Sequence, residues 1–158
     1  MLLGIIGKVT CDLGNFIVRA AKVATYCMTH EIDIGILPEE DAPHGNGLTN
    51  GQLLEIMQNG SPSKGIPPRP VLDVAMEHSR EVVSLLEHDC VGAVFGSGTV
   101  EEAFEKAGQD MLEIVRETFG SEELASNDPK TVKRKGFDSP LIETGALREA
   151  INYKVRRK

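Results

Sequence analysis

A chain of 158 residues with 41% apolar residues is long enough for one globular domain that buries about 70% of its unfolded surface without help from disulfides or metals. With no Trp, 5 Phe and 2 Tyr, its core is expected to be aliphatic, and three cysteines, Cys11, Cys27 and Cys90, are an odd number that points to reduced thiols in a cytoplasm rather than a disulfide framework. The net charge of −7 is unevenly spread: residues 128 to 158 hold nine Lys or Arg against four Asp or Glu, a net of +5, which leaves −12 on residues 1 to 127. An acidic body with a basic end bears on partners and assembly rather than on fold, and solvated surface accounts for both charge groups equally well.

The apolar start, Met1 to Gly7, has no basic region before it and is interrupted by Lys8 and Asp12, so neither a signal peptide nor a membrane span is expected. Ile5, Val9, Leu13, Phe16, Ile17, Ala20, Val23, Ala24 and Cys27 recur at helical steps. Gly4, Gly7 and Gly14, each costing about 1 kcal/mol relative to Ala in a helix, confine the expected helix to the second half of residues 5 to 28. Ile32, Ile34 and Ile36 alternate within 31 to 37, a strand pattern that ends at Pro38 and the polar, turn-rich loop 39 to 47. A helix capped by Thr49 or Asn50 follows, with Leu53, Leu54, Ile56 and Met57 on its buried side and Asn59-Gly60 as its stop. Pro67, Pro68 and Pro70 fix φ through Ile66-Pro67-Pro68-Arg69-Pro70, which is predicted to run as a stiff polyproline-like rod.

Helical spacing continues through Leu72, Ala75, Met76, Val82, Val83, Leu85, Leu86 and Cys90, with Asp73 and Glu77 suited to a helix start. The clearest helix opens on the capping box Thr99-Val100-Glu101-Glu102. It carries Val100, Ala103, Phe104, Ala107, Met111, Ile114, Val115 and Phe119 on one face and stops at Gly120. Asp128-Pro129 resembles a cap and a first-turn proline for one or two basic helical turns ended by Gly136. Pro140 and Thr144-Gly145 predict a fixed turn, after which Ile151, Tyr153 and Val155 alternate with Asn152, Lys154 and Arg156 as a half-buried strand. Its expected partner is the strand at 31 to 37. The expected fold is therefore α+β: a small antiparallel sheet covered by several helices, with long loop insertions, in a single domain over 1–158.

Four motifs invite chemistry. Gly96-Ser97-Gly98-Thr99 ahead of a helix has a place for a phosphate, but Glu101 and Glu102 would repel it and the Walker and dinucleotide spacings are absent, so a glycine-rich linker explains it better. Cys27 with His30 and His88 with Cys90 amount to four zinc ligands, although both cysteines sit on apolar faces where a thiol behaves as a small buried hydrophobe. The acidic residues Glu39 to Asp41 lack the ligand spacing of a calcium loop, and no nucleophile elbow occurs. The basic runs Lys133-Arg134-Lys135 and Arg156-Arg157-Lys158 suit phosphate contacts or the acidic surface of a neighbouring copy, and only Phe137 and Tyr153 provide aromatic interleaving. No catalyst, cofactor or metal is called for.

Two segments carry a resemblance. Ile66-Pro67-Pro68-Arg69-Pro70-Val71-Leu72, followed in order by Pro140-Leu141-Ile142-Glu143-Thr144-Gly145-Ala146-Leu147-Arg148, resembles the virion-morphogenesis proteins of tailed bacteriophages, the tail-completion or neck family that includes the G protein of phage Mu. The likeness spans about residues 29 to 156. Val71 stands where the family usually has Phe, Glu143 where it has Asp and Ala150 where it has Ser. The resemblance implies a non-enzymatic virion protein acting at the neck in head–tail joining, made in the host cytoplasm. It also implies a homo-oligomeric ring that contacts neighbouring neck, connector and tail proteins, with DNA passing through its channel and no membrane. The family's motif positions fall on Ile66, Pro67, Pro68, Arg69, Pro70 and Leu72, and on Leu141, Ile142, Thr144, Gly145, Leu147 and Arg148. Arg69 and Arg148, long cations on rigid turns, are expected to form a fixed ion pair within the domain or across a subunit interface, while both motifs can equally be braces for the sheet. The competing class is a small DNA-binding module that uses the basic end 128–158.

Overall fold

The structure is a computed structural model that describes residues 13–45 and 47–158. Ile5 and Val9 of the expected first helix, and Cys11, lie outside the described residues. In chain order the elements are α1 (Leu13–Thr29), β1 (His30–Gly35), β2 (Pro43–Gly45), β3 (Leu48–Thr49), α2 (Asn50–Asn59), α3 (Val71–His78), α4 (Arg80–Phe95), α5 (Val100–Thr118), α6 (Pro129–Lys135), α7 (Ala146–Glu149) and β4 (Asn152–Arg157). The architecture is α+β, as the alternation of strand and helix patterns predicts.

β1 and β4 pair antiparallel, with Ile32 opposite Val155 and Ile34 opposite Tyr153 on one face, and Glu31 opposite Arg156 and Asp33 opposite Lys154 on the other. A two-stranded pair is marginal by itself and must lean on something apolar. Here that support is α5. Ile34 and Tyr153 pack against a cluster built from Leu54, Val71, Ala75, Leu112, Val115, Phe119, Leu124, Leu147 and Ile151, while Ile32 and Val155 pack against Cys90, Val100, Ala103 and Phe104. On the outer face Arg156 bridges Glu31, at 2.7 Å, and Asp33, and Lys154 pairs with Glu39. Exposed pairs of this kind add little stability each. They do mark the register, because a one-residue slip would carry these charges onto the core face.

α5 belongs to both clusters, and its start is fixed by the reciprocal bonds between Thr99 and Glu102. It comes close to the sheet at Gly108, where a Cβ would lie 2.3 Å from Cδ2 of Tyr153. Only a residue without a side chain lets that ring come so close to the helix.

The structure departs from the sequence expectations in several places. Ile151 precedes β4 rather than opening it, and is fully buried, while Ile36 and the buried Leu37 lie beyond the end of β1. The polar loop contains a short hairpin, β2 with β3. The long helical run after Leu72 is two helices: the hydroxyl and the amide of Ser79 both turn back to the Met76 carbonyl, at 2.7 and 3.3 Å, and a serine that bonds its own backbone in this way breaks the helical ladder. Leu112 takes the buried place expected for Met111. The turn at Thr144-Gly145 leads into α7, which the sequence reading does not anticipate; Gly145 sits there at φ 81° and Thr144 Oγ1 accepts a bond from the Ala146 amide at 3.2 Å.

Gly108→Ala sets intrinsic propensity against packing. Alanine gains about 1 kcal/mol of helix propensity, but displacing the Tyr153 ring costs roughly 1–3 kcal/mol. A lower urea midpoint is therefore expected in equilibrium unfolding, and a higher one would show that the ring yields freely.

Candidate functional site

The proline rod is held at both ends. Ser61 and Ile66 exchange backbone bonds of 2.8 and 3.0 Å, and the Arg69 amide donates to the Met57 carbonyl at 2.7 Å, so the rod runs along the end of α2. Gly60 makes this approach possible: it has φ 73°, and a Cβ there would lie 2.8 Å from the Pro68 nitrogen.

Arg69 is 7% exposed, and its guanidinium turns away from solvent to donate from Nε to the Ala125 carbonyl at 2.7 Å and from Nη2 to the Ser126 carbonyl at 2.8 Å. Burial pulls its pKa below the ordinary arginine value, and the nearby Asp138 charge acts in the opposite direction. Asp138 spends its own bonds on the backbone and side-chain nitrogens of Asn127, at 3.0 and 2.9 Å. Among the described residues Arg69 thus makes carbonyl bonds in place of the expected ion pair. Arg148 makes no ion pair among the described residues either, and its Nε is buried without a hydrogen-bond partner.

The second motif is braced in the same manner. Lys135 reaches forward to donate to the Ile142 carbonyl at 2.5 Å and the Ser139 carbonyl at 3.4 Å, and burial lowers its pKa. Arg134 pairs with Glu143 at 3.0 Å. Leu141, between these anchors, adopts φ 63°, a conformation that costs an ordinary L-residue about 1–2 kcal/mol.

These restraints bring the two motifs together. Ile66, Pro67 and Arg69 of the first motif and Leu141, Thr144, Gly145 and Leu147 of the second line one cleft of about 380 Å³, together with Leu53 and Met57 of α2. The remaining motif residues lie outside it: Pro68 backs onto Gly60, Pro70 precedes the first turn of α3, Leu72 and Ile142 pack against the larger cluster, and Arg148 lies on α7. His44, also in the cleft wall, is 2.6 Å from Oδ1 of Asn50. Several of the polar side chains here, Arg69, Asp128, Lys135 and Thr144, are engaged with the backbone, and Asn127 with Asp138. The cleft therefore offers a ligand a mixed lining, apolar at Leu53, Met57, Leu141 and Leu147 and charged at Asp128, Arg134, Lys135 and Glu143.

The other motifs resolve differently. Cys27 and Cys90 meet, with sulfurs 3.9 Å apart, but His30 stacks on Tyr26 and His88 turns to Asp89. Among the described residues no three His, Cys, Asp or Glu gather as metal ligands would. Cys27 is exposed rather than buried, and Cys90 alone behaves as a core thiol. At Thr99 the amide is taken by the Glu102 carboxylate at 2.9 Å. Asp41, read as part of a solvated loop, instead accepts bonds from the Thr49 hydroxyl at 2.6 Å and the Gly51 amide at 2.9 Å, which joins the β2–β3 hairpin to the start of α2.

No protein-family model matches the chain, nor does any curated protein or any solved structure.

Two outcomes check this site. Arg69→Lys keeps the charge but loses the planar fork that reaches two carbonyls, and is expected to cost about 2 kcal/mol in urea unfolding; a loss near zero would mean the clamp contributes little. Bonds from the Thr49 hydroxyl, then the Gly51 and Asn50 amides, hold the Asp41 carboxyl below the usual carboxylate range. Its stabilising effect is therefore complete above the unfolded value of about 3.9 and is lost as pH falls through the lower folded value. The difference in melting temperature between the natural chain and Asp41→Asn should be open at pH 7 and close on acidification, whereas a gap constant with pH would point to a cause other than charge.

Proposed function

We propose that this chain is a non-enzymatic structural protein of a tailed-phage virion, a tail-completion or neck component that acts in head–tail joining. The observation that carries this reading is the meeting of its two family-like motifs, far apart in sequence, on the walls of one cleft. A shared recognition surface explains that meeting better than two independent braces. The cleft would receive part of a neighbouring neck, connector or tail protein, and copies of the chain would form a ring.

Surface chemistry supports assembly. Leu13, Ile17, Val18 and Met28 of α1 and Val91 and Phe95 of α4 are all more than half exposed, an apolar area of the kind that partners cover. Ring closure of an acidic body, net −12 over residues 1 to 127, would line a channel that DNA traverses without adhering. The DNA-binding alternative has fewer cations to draw on than the sequence suggests, since Arg134, Lys154 and Arg156 are paired with Glu143, Glu39, Glu31 and Asp33. No helix among the described residues is long and apolar enough to cross a membrane.

The test is negative-stain microscopy of lysates from a phage or prophage lacking this gene. Filled heads separate from tails are expected, and intact infectious particles would overturn the proposal. DNA affinity that falls steeply with salt would instead favour the binding module.

A further inference from the structure

The two thiols that face each other, Cys27 on α1 and Cys90 on α4, are separated by 63 positions in sequence and by 3.9 Å in space. Their surroundings are opposite. Cys27 is exposed, whereas Cys90 is 8% exposed and belongs to the cluster of Val100, Ala103 and Phe104. Neither residue belongs to the cleft or to the two motifs. α1 itself has no buried residue. It meets the body through Arg19 to the Val94 carbonyl at 2.8 Å, Lys22 to Glu101 at 2.9 Å, Phe16 against Phe95, Tyr26 against Phe104 and Val23 on the smaller cluster, and its last residue, Thr29, accepts a bond from the Lys158 amide at 2.8 Å.

We propose that Cys27 is a modification site for low-molecular-weight disulfides and that Cys90 resolves the adduct, closing an intramolecular disulfide that fastens α1 to α4. In the first step the Cys27 thiolate attacks one sulfur of the reagent, the reagent's S–S bond breaks, and one small thiol departs with the proton that Cys27 gave up. In the second, Cys90 attacks Sγ of Cys27, the mixed disulfide breaks, and the second small thiol leaves with the Cys90 proton. Two protein thiols are oxidised by two electrons and one reagent disulfide is reduced to two thiols.

The order follows from access. Burial first, then the neighbouring Cys27 and Asp89, push the Cys90 thiol up to about 11, so it stays protonated and screened while Cys27 meets the reagent. The sulfurs must close by about 2 Å to reach bonding distance. A helix with no buried residue can supply that movement.

The reduced full-length chain, incubated with oxidised glutathione, alkylated and mapped by peptide mass spectrometry, should yield a Cys27–Cys90 disulfide within monomers. Its melting temperature should rise by about 5–10 °C and return on reduction. Cys90→Ala should stop at a glutathione adduct on Cys27 with no such rise, and Cys27→Ser should leave Cys90 unmodified. If the natural chain keeps a stable adduct at Cys27, forms a disulfide mainly through Cys11 or between chains, or remains unmodified, the proposal is wrong. Because the mapping is made on the natural chain, the result does not depend on the variants folding.

Discussion

Everything in this structure depends on covering one face of a two-strand sheet. β1 and β4 offer four inward side chains, Ile32, Ile34, Tyr153 and Val155, and a ribbon that narrow cannot bury them within itself. A single long helix, α5, lies against them and shares its apolar face between the two clusters. The absence of a side chain at Gly108 then sets how closely helix and sheet approach. α3 and α4 pack on the same helix, and α2 adds Leu53 and Leu54 to the larger cluster.

The rod and the loop after α5 are joined by a different means. Arg69 spends its guanidinium on two backbone carbonyls in a segment that has little regular structure of its own. Lys135 does the same for the turn before α7. Long cations that satisfy carbonyls are a way to order irregular chain, since a planar fork or an ammonium can reach acceptors that no ladder supplies. The cleft is a product of these two braces. Its lining joins these braced loop segments to residues of α2, α6 and α7, so loop residues are displayed on a helical frame, a common setting for recognition surfaces.

How much of this was legible in the sequence follows from the range of each signal. The period-2 alternation of Ile32 and Ile34 with Tyr153 and Val155, and the capping box at Thr99, are local patterns, and the sheet pairing and α5 could be read from them. That residues 67 to 70 stay out of helix and sheet was legible because proline limits its own backbone, although Pro70, at ψ 66°, departs from polyproline geometry. The carbonyl partners of Arg69 were not, because backbone acceptors more than fifty residues away leave no mark on the sequence. The hairpin of β2 and β3 is too short to show a period, and the split at Ser79 depends on which acceptor one hydroxyl chooses. The two cysteines each looked like core residues. Only the packing of α1 on α4 decides that one is outside and that they face each other.

The pairing of β1 with β4 also has a kinetic side. His30 meets Arg157 across 127 positions of chain, the difference of their numbers, and closing such a loop costs on the order of 4 kcal/mol of chain entropy. The helices between them need no such closure, so loop entropy weighs against the sheet forming before them. During synthesis β1 has no partner until residue 152 has been made. Glu31 and Asp33 place charge on that segment, and charge on an unpaired strand disfavours pairing with another chain.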